Sequence, residues 1–172
     1  MKEIYSLIFR YVLIVLAGLG NLTLFYSIFT PLTVYSSYWL FSFLGETFLF
    51  GNLILFNGVA INLVAACIAG SAYYLLFILV LSTANMSFSK RLKALVLCFV
   101  SLFVLNVIRI LSMGLIIHTS YFSTIHLLFW YFLSIIFVVL IWFSTVKLLK
   151  IRSIPVVSDL VFLIKLSKSK HV

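Results

Sequence analysis

Apolar runs alternate with short basic clusters along this chain, and the runs have the length of membrane-crossing helices. About 20 apolar residues carry a helix across the hydrocarbon core. Tyr11–Phe29 is the first run, and Thr30-Pro31 punctuates it, because proline removes a donor and restricts the residue before it. Ile68–Thr83 is the second, closed by the cluster Lys90, Arg91 and Lys93. Leu92–Ile110 is the third, and His126–Val146 the fourth, ending at Lys147, Lys150 and Arg152. Between the first two runs the pattern changes. Leu32–Phe50 is apolar and rich in Tyr, Trp and Phe, which favour the membrane interface, and reads as an outer interfacial or re-entrant helix. In Gly51–Ala66 the apolar positions Ile54, Phe56, Val59, Ile61 and Leu63 are broken by Asn52, Asn57, Gly58 and Asn62. Asn57-Gly58 fits a tight primed turn, which needs positive φ at both positions, so a short β-hairpin is expected there.

The fold class expected is therefore an α-helical integral membrane protein. It has about four transmembrane helices, the outer helix and the hairpin. A model with five or six spans is the competing arrangement. Residues 1–152 form one polytopic membrane domain and residues 153–172 a basic cytoplasmic tail. Within that tail, Val156–Leu166 is apolar but carries Asp159 and Lys165, and reads as an interfacial amphipathic segment rather than another span.

Composition supports this class. Of the 172 residues, 65% are hydrophobic, against about 45–50% in a typical soluble domain. The first run is too long for the apolar core of a cleaved leader, about 7–15 residues, and reads as a retained helix. The net charge of +9 sits at the ends of the runs rather than in one patch. That is the signature of topology-setting charge and argues against nucleic acid as a partner. Lys2, Arg10, the Lys90–Lys93 cluster and the C-terminal lysines then share the cytoplasmic side, which places a multi-pass protein in the cell membrane with both termini inside. Glu3, Glu46 and Asp159 are too far apart in sequence for paired-carboxylate chemistry, and no glycine-rich phosphate loop is present. Cys67 and Cys98 make neither a disulfide framework nor a zinc spacing, so no metal and no cofactor is expected.

Against this background a few polar residues stand out. Arg109, in Asn106-Val107-Ile108-Arg109-Ile110, lies at the end of an otherwise apolar run. A charge at the centre of a membrane helix costs roughly 2.5–3.5 kcal/mol on insertion scales, which makes such a residue a candidate functional group. Its charge would stabilise a neighbouring thiolate, and its planar donors an oxyanion; snorkelling to the headgroups is the structural alternative. Cys67 stands where a loop enters the second run, at an expected helix N-terminus, with Gly70 and Ser71 allowing close approach of backbone or partner groups. Cys98 lies inside the third run and reads as a small core residue. His126 opens the fourth run and could serve as the base that takes a thiol proton; His118 is its competitor in the preceding connection. Asn106 lies one turn before Arg109 and could orient Arg109 or a substrate carbonyl, or make an interhelical hydrogen bond.

These residues, in this order, resemble the exosortase/archaeosortase family of membrane cysteine transpeptidases. The resemblance runs from about Thr30 to Trp130: Thr-Pro after the first span, a Gly-containing lead-in, Cys67 followed by Gly70, Asn106-x-x-Arg109-Ile110, and His126 opening the last span. It implies Cys67 as nucleophile, Arg109 as electrostatic partner and His126 as base. It also implies substrates that are exported proteins with a C-terminal sorting tail, made of a short motif, a hydrophobic span and a basic end. The chain departs from the family pattern in two places. Cys67-Ile68-Ala69-Gly70 stands where Cys-Ser/Thr-Gly is usual, and Leu127-Leu128 follows the histidine. Its size and cysteine motif look more archaeal in type.

Two functions from different classes are thus open. One is a cysteine transpeptidase or protease whose three side chains meet at one outer pocket, with membrane lipids as neighbours and a lipid or other acceptor for the product. The other is a non-enzymatic membrane carrier or assembly factor that binds an anionic lipid or solute through Arg109. Geometry separates them: the enzyme needs one shared pocket, the carrier a polar path across the bilayer.

Overall fold

The computed structural model describes residues 2–117, 119–128 and 134–169. Helices dominate: α1 (Lys2–Ser42), α2 (Ala65–Ile68), α3 (Gly70–Leu81), α4 (Phe88–Leu115), α5 (Phe122–Leu128), α6 (Ser134–Leu148) and α7 (Val157–Ser169). Strands β1 (Thr47–Phe50), β2 (Leu53–Phe56) and β3 (Val59–Asn62) lie between α1 and α2. Two helices, within Ile4–Ser42 and Phe88–Leu115, are long and apolar enough to cross a membrane, while Gly70–Leu81 and Ile135–Leu148 are shorter apolar helices.

The first helix corrects two expectations. Pro31 does not end it: the chain stays helical through Thr30-Pro31 and on to Ser42. The break comes earlier, at Leu19–Leu22, where Gly20, Asn21 and Leu22 take left-handed backbone angles. Glycine and asparagine adopt that region at least cost. Leu32–Phe50 is likewise not a separate interfacial helix. Its first part continues α1, because Phe41 is fully buried against Phe56 and against Gly114 of α4. Its last part is β1.

The hairpin is in fact a three-stranded antiparallel meander in the order β1-β2-β3. Asn57 and Gly58 form the expected turn, with φ of 47° and 82°, between the paired residues Phe56 and Val59. Asn57 does more than turn. Its backbone N–H donates to the Glu46 carbonyl at 2.9 Å, and its side-chain oxygen accepts from the Glu46 N–H at 3.1 Å. That fixes the start of β1. The additional strand, β1, was hidden in the sequence because Phe48-Leu49-Phe50 is a continuous apolar run that shows no clean alternation.

The helices pack as neighbours that alternate in direction. Arg10 of α1 and Arg91 of α4 both donate to the Leu81 and Thr83 carbonyls at the end of α3. Phe41 near the end of α1 meets Gly114 near the end of α4. So α1 and α4 run the same way and α3 runs back. Cys98 contacts Thr145 at 3.4 Å, and the Lys90 ammonium donates to the Lys150 carbonyl at 3.2 Å, so α6 also runs back. An up-down-up-down bundle results, with Arg10, Lys90, Arg91 and Lys150 at one end. The rings of Phe25, Phe29, Tyr73 and Phe99 fill its middle.

Helix α4 shows the arrangement most clearly. Ala94, Cys98, Leu102, Asn106, Ile110 and Gly114, spaced by four, are buried. Leu92, Val96, Val100, Val104 and Ile108, also spaced by four, are exposed. The outward stripe is entirely Leu, Val and Ile, whereas the inward one includes small and polar residues.

The basic end is closed by α7, which is docked rather than free. Arg10 and Asp159 form a two-pronged ion pair at 2.8 and 3.0 Å. They are only 8% and 4% exposed. The Val156 N–H adds a bond to the Ser82 carbonyl at 2.9 Å. A cavity of about 600 Å³ lies here between α1, α4 and α7.

Candidate active site

At the opposite end, Cys67, Arg109 and His126 line one cavity of about 490 Å³. Each reaches it from a different element, and the local sequence explains how.

Cys67 comes from the exit of the sheet. Asn62 ends β3, and Val64 is the extended residue before α2. The Cys67 N–H donates to the Val64 carbonyl at 2.8 Å, closing a single helical turn. Ala69 then takes a left-handed conformation, with φ 61°, and α3 begins at Gly70. The cysteine therefore does not start the long helix, as its sequence context led us to expect. It sits half-buried on a one-turn helix set off from α3 by a kink. A single turn sums few peptide dipoles, so Cys67 does not have the field of a long helix N-terminus.

That kink leaves carbonyls near its end without a continuing helix, and α4 supplies their donors. The Asn106 amide donates to the Cys67 carbonyl at 2.8 Å. Arg109 Nη2 donates to the carbonyls of Ala66 and Cys67, each at 3.3 Å. Asn106 is thus an interhelical hydrogen-bonding residue, 2% exposed, rather than a side chain open to substrate. Arg109 is half-buried and within electrostatic reach of the Cys67 side chain. It is not at the end of its helix, since α4 continues to Leu115. The guanidinium consequently lies against the flank of the bundle, where the kinked segment passes.

His126 lies in α5, which begins at Phe122, so it does not open its helix; residues 129–133 of the expected fourth span lie outside the described residues. It is exposed at the cavity rim and stacks on Phe122, with ring centroids 5.6 Å apart. Among the described residues its ring makes no hydrogen bond. His118, its competitor, and Trp130 lie outside the described residues.

Gly70 and Ser71 do not line this cavity. Gly70 is buried against α1 instead: a Cβ there would stand 2.6 Å from the Tyr26 ring. Its role is close packing of α1 on α3, not access to the cysteine. Ser71 is exposed. The rest of the wall is apolar and was not anticipated. Met113 and Gly114 extend the Arg109 face of α4, and Leu63 and Val64 come from the strand exit. Met113 was within reach of sequence reasoning, being one helical turn beyond Arg109 on the same face. The strand residues were not, because their position depends on the sheet.

Among the described residues no group of three or more His, Cys, Asp or Glu side chains could hold a metal ion. No family model, no curated protein and no solved structure matches the chain.

Proposed function

We propose that the chain is a membrane-embedded cysteine peptidase or transpeptidase of the exosortase/archaeosortase type. In this reading α1 and α4 cross the membrane of the cell and the shorter apolar helices α3 and α6 cross beside them, with the basic end inside and the cavity at the outer face. Two features support the membrane placement. The exposed stripe of α4 is more apolar than its buried stripe, the reverse of a helix that faces water. And the basic residues gather at one end of the bundle.

The observation that carries the enzymatic reading is the cavity itself. Three side chains distant in sequence, a thiol, a guanidinium and an imidazole, line one space. In the proposed reaction the Cys67 sulfur adds to the carbonyl carbon of a peptide bond in the tail of an exported protein. His126 takes the thiol proton and passes it to the departing amine. Arg109 faces the oxygen on which negative charge develops. Its bonds to the Ala66 and Cys67 carbonyls tie its fork to the cysteine's own segment, so the charge and the nucleophile keep a fixed relation. A thioester forms as the amine leaves. An amine or hydroxyl on a lipid or other acceptor, or water, then attacks the thioester and restores the thiol.

The test uses cells expressing the full chain with an exported host protein that bears a tail of short motif, hydrophobic span and basic end. Cys67→Ala is expected to abolish processing of the tail. Cys98→Ala, at a fully buried position beside Thr145, is expected to leave it intact. Full processing by the Cys67→Ala protein would overturn the peptidase reading and favour an anion carrier built on Arg109.

A further inference from the structure

Strand β3 borders the cavity and is an edge of the sheet. Which of its main-chain groups face outward follows from the register. Phe56 and Val59 flank a two-residue turn, so they exchange both hydrogen bonds, and the bonding then alternates along the pair. Ile61 bonds to β2 in the same phase, and the next bond is seen directly: the Leu63 N–H donates to the Asn52 carbonyl at 3.0 Å. Ala60 and Asn62 therefore turn their main-chain groups away from β2. The Asn62 carbonyl is taken by the Val64 N–H at 3.2 Å. Among the described residues this leaves, in order, the Ala60 N–H, the Ala60 carbonyl and the Asn62 N–H as an open donor, acceptor and donor.

These three groups lie beside the same cavity as Cys67, which follows Asn62 after only a short extended stretch and the first residues of α2. Ala60, Asn62 and Val64 are exposed, so nothing of this chain covers the edge among the described residues. An exposed strand edge is a template for another extended chain, and pairing of this kind recognises main chain rather than a particular side chain. The other edge, β1, adjoins α1 instead.

We propose that the substrate peptide binds by strand addition to β3. An extended segment of the tailed protein lies along Ala60–Asn62 and hydrogen-bonds to the three open groups, which delivers one of its carbonyls to Cys67. The added strand lies about 4.8 Å from β3, the ordinary spacing. This rests on the peptidase reading above and adds to it the conformation of the substrate and the groups that hold it. It also accounts for a cavity wall that is mainly apolar, since the polar recognition is by backbone.

The experiment measures alkylation of Cys67 in the full chain, in liposomes, with the site read by mass spectrometry. The probes are an apolar tripeptidyl chloromethyl ketone, the same peptide N-methylated at each amide in turn, and iodoacetamide. The edge has one open acceptor, the Ala60 carbonyl. Methylation at one amide of the peptide is therefore expected to slow labelling about tenfold, as for a lost hydrogen bond that leaves a group unsatisfied, and methylation elsewhere to have little effect. Ala60→Pro removes one edge donor without touching a bond to β2. It is expected to slow the parent peptide about tenfold too, with iodoacetamide unaffected. If all methylated peptides label Cys67 as fast as the parent, or the parent has no advantage over iodoacetamide, strand addition is wrong while the nucleophile stands. If Cys67 reacts with none of the probes, the peptidase reading fails and the proposal with it.

Discussion

Arginine is used at both ends of this bundle, in the same way locally and with different surroundings. At the basic end, Arg10 and Arg91 donate to the carbonyls of Val80, Leu81 and Thr83, where α3 stops. At the other end Arg109 donates to the carbonyls of Ala66 and Cys67, just before α3 starts. In each case a guanidinium from a neighbouring helix satisfies acceptors that a helix terminus leaves over. What differs is the company. Arg10 meets the carboxylate of Asp159, and the result is a clamp that holds α7. Arg109 shares a cavity with a thiol and an imidazole, groups that can move a proton and form a covalent bond. Capping carbonyls is a structural job that a guanidinium does at either end; the proposed reaction depends on the neighbours placed beside Arg109.

The largest expected contrast is between equivalent substitutions at the two ends. Arg109→Lys should lower processing of a tailed substrate by about 10²-fold or more, since a point charge cannot both hold two carbonyls and face a developing oxyanion. Arg91→Lys should leave turnover per folded molecule near that of the parent. Processing rates normalised to the amount of inserted protein decide this, and equal losses at the two ends would make Arg109 a cap and nothing more.

Next in size is the clamp. Asp159→Ala leaves a buried guanidinium without its carboxylate, a change that typically costs about 3–5 kcal/mol. The effect should be local to α7. Trypsin should then cut at Lys150 or Arg152 far faster than in the parent, while the thermal transition of the remaining bundle moves less. Unchanged proteolysis would show that the bonds to the Leu81 and Thr83 carbonyls suffice to hold Arg10, and that the two ends differ less than their partners imply.

The smallest effect expected is at Gly114, where the cavity end of α4 meets α1. A methyl group there collides with the ring of Phe41, which is fully buried. Gly114→Ala should cost about 1–3 kcal/mol as an overpacked contact and weaken probe labelling of Cys67 modestly. A thermal shift with full labelling would separate packing at this end from the chemistry beside it.

Much of this was legible in the pattern of the chain. Apolar runs flanked by lysine and arginine predict apolar helices with a common basic end, and two of these helices, within Ile4–Ser42 and Phe88–Leu115, are long and apolar enough to cross a membrane. Asn57-Gly58 predicts its turn, because few other pairs accept positive φ at both positions. Cys67, Arg109 and His126 could be picked out as chemically able groups in an apolar chain, and all three line one cavity.

Only the tertiary structure decided how these pieces meet. Pro31 reads locally as a stop, yet α1 passes through it, because burial of Phe41 against α4 and the sheet outweighs one missing backbone bond. Gly70 reads as room for close approach of backbone or a partner group at the cysteine, yet the place of its missing side chain is filled by Tyr26 from a helix far away in sequence. Asp159 reads as one acid in a basic tail, and its partner is Arg10 at the other end of the chain. The sequence determined which residues can be helical, basic or reactive, since those are properties of a residue and its near neighbours. Which carbonyl an arginine caps, which strand edge stays open and which three side chains share a cavity are relations between segments distant in the chain, and packing alone settles them.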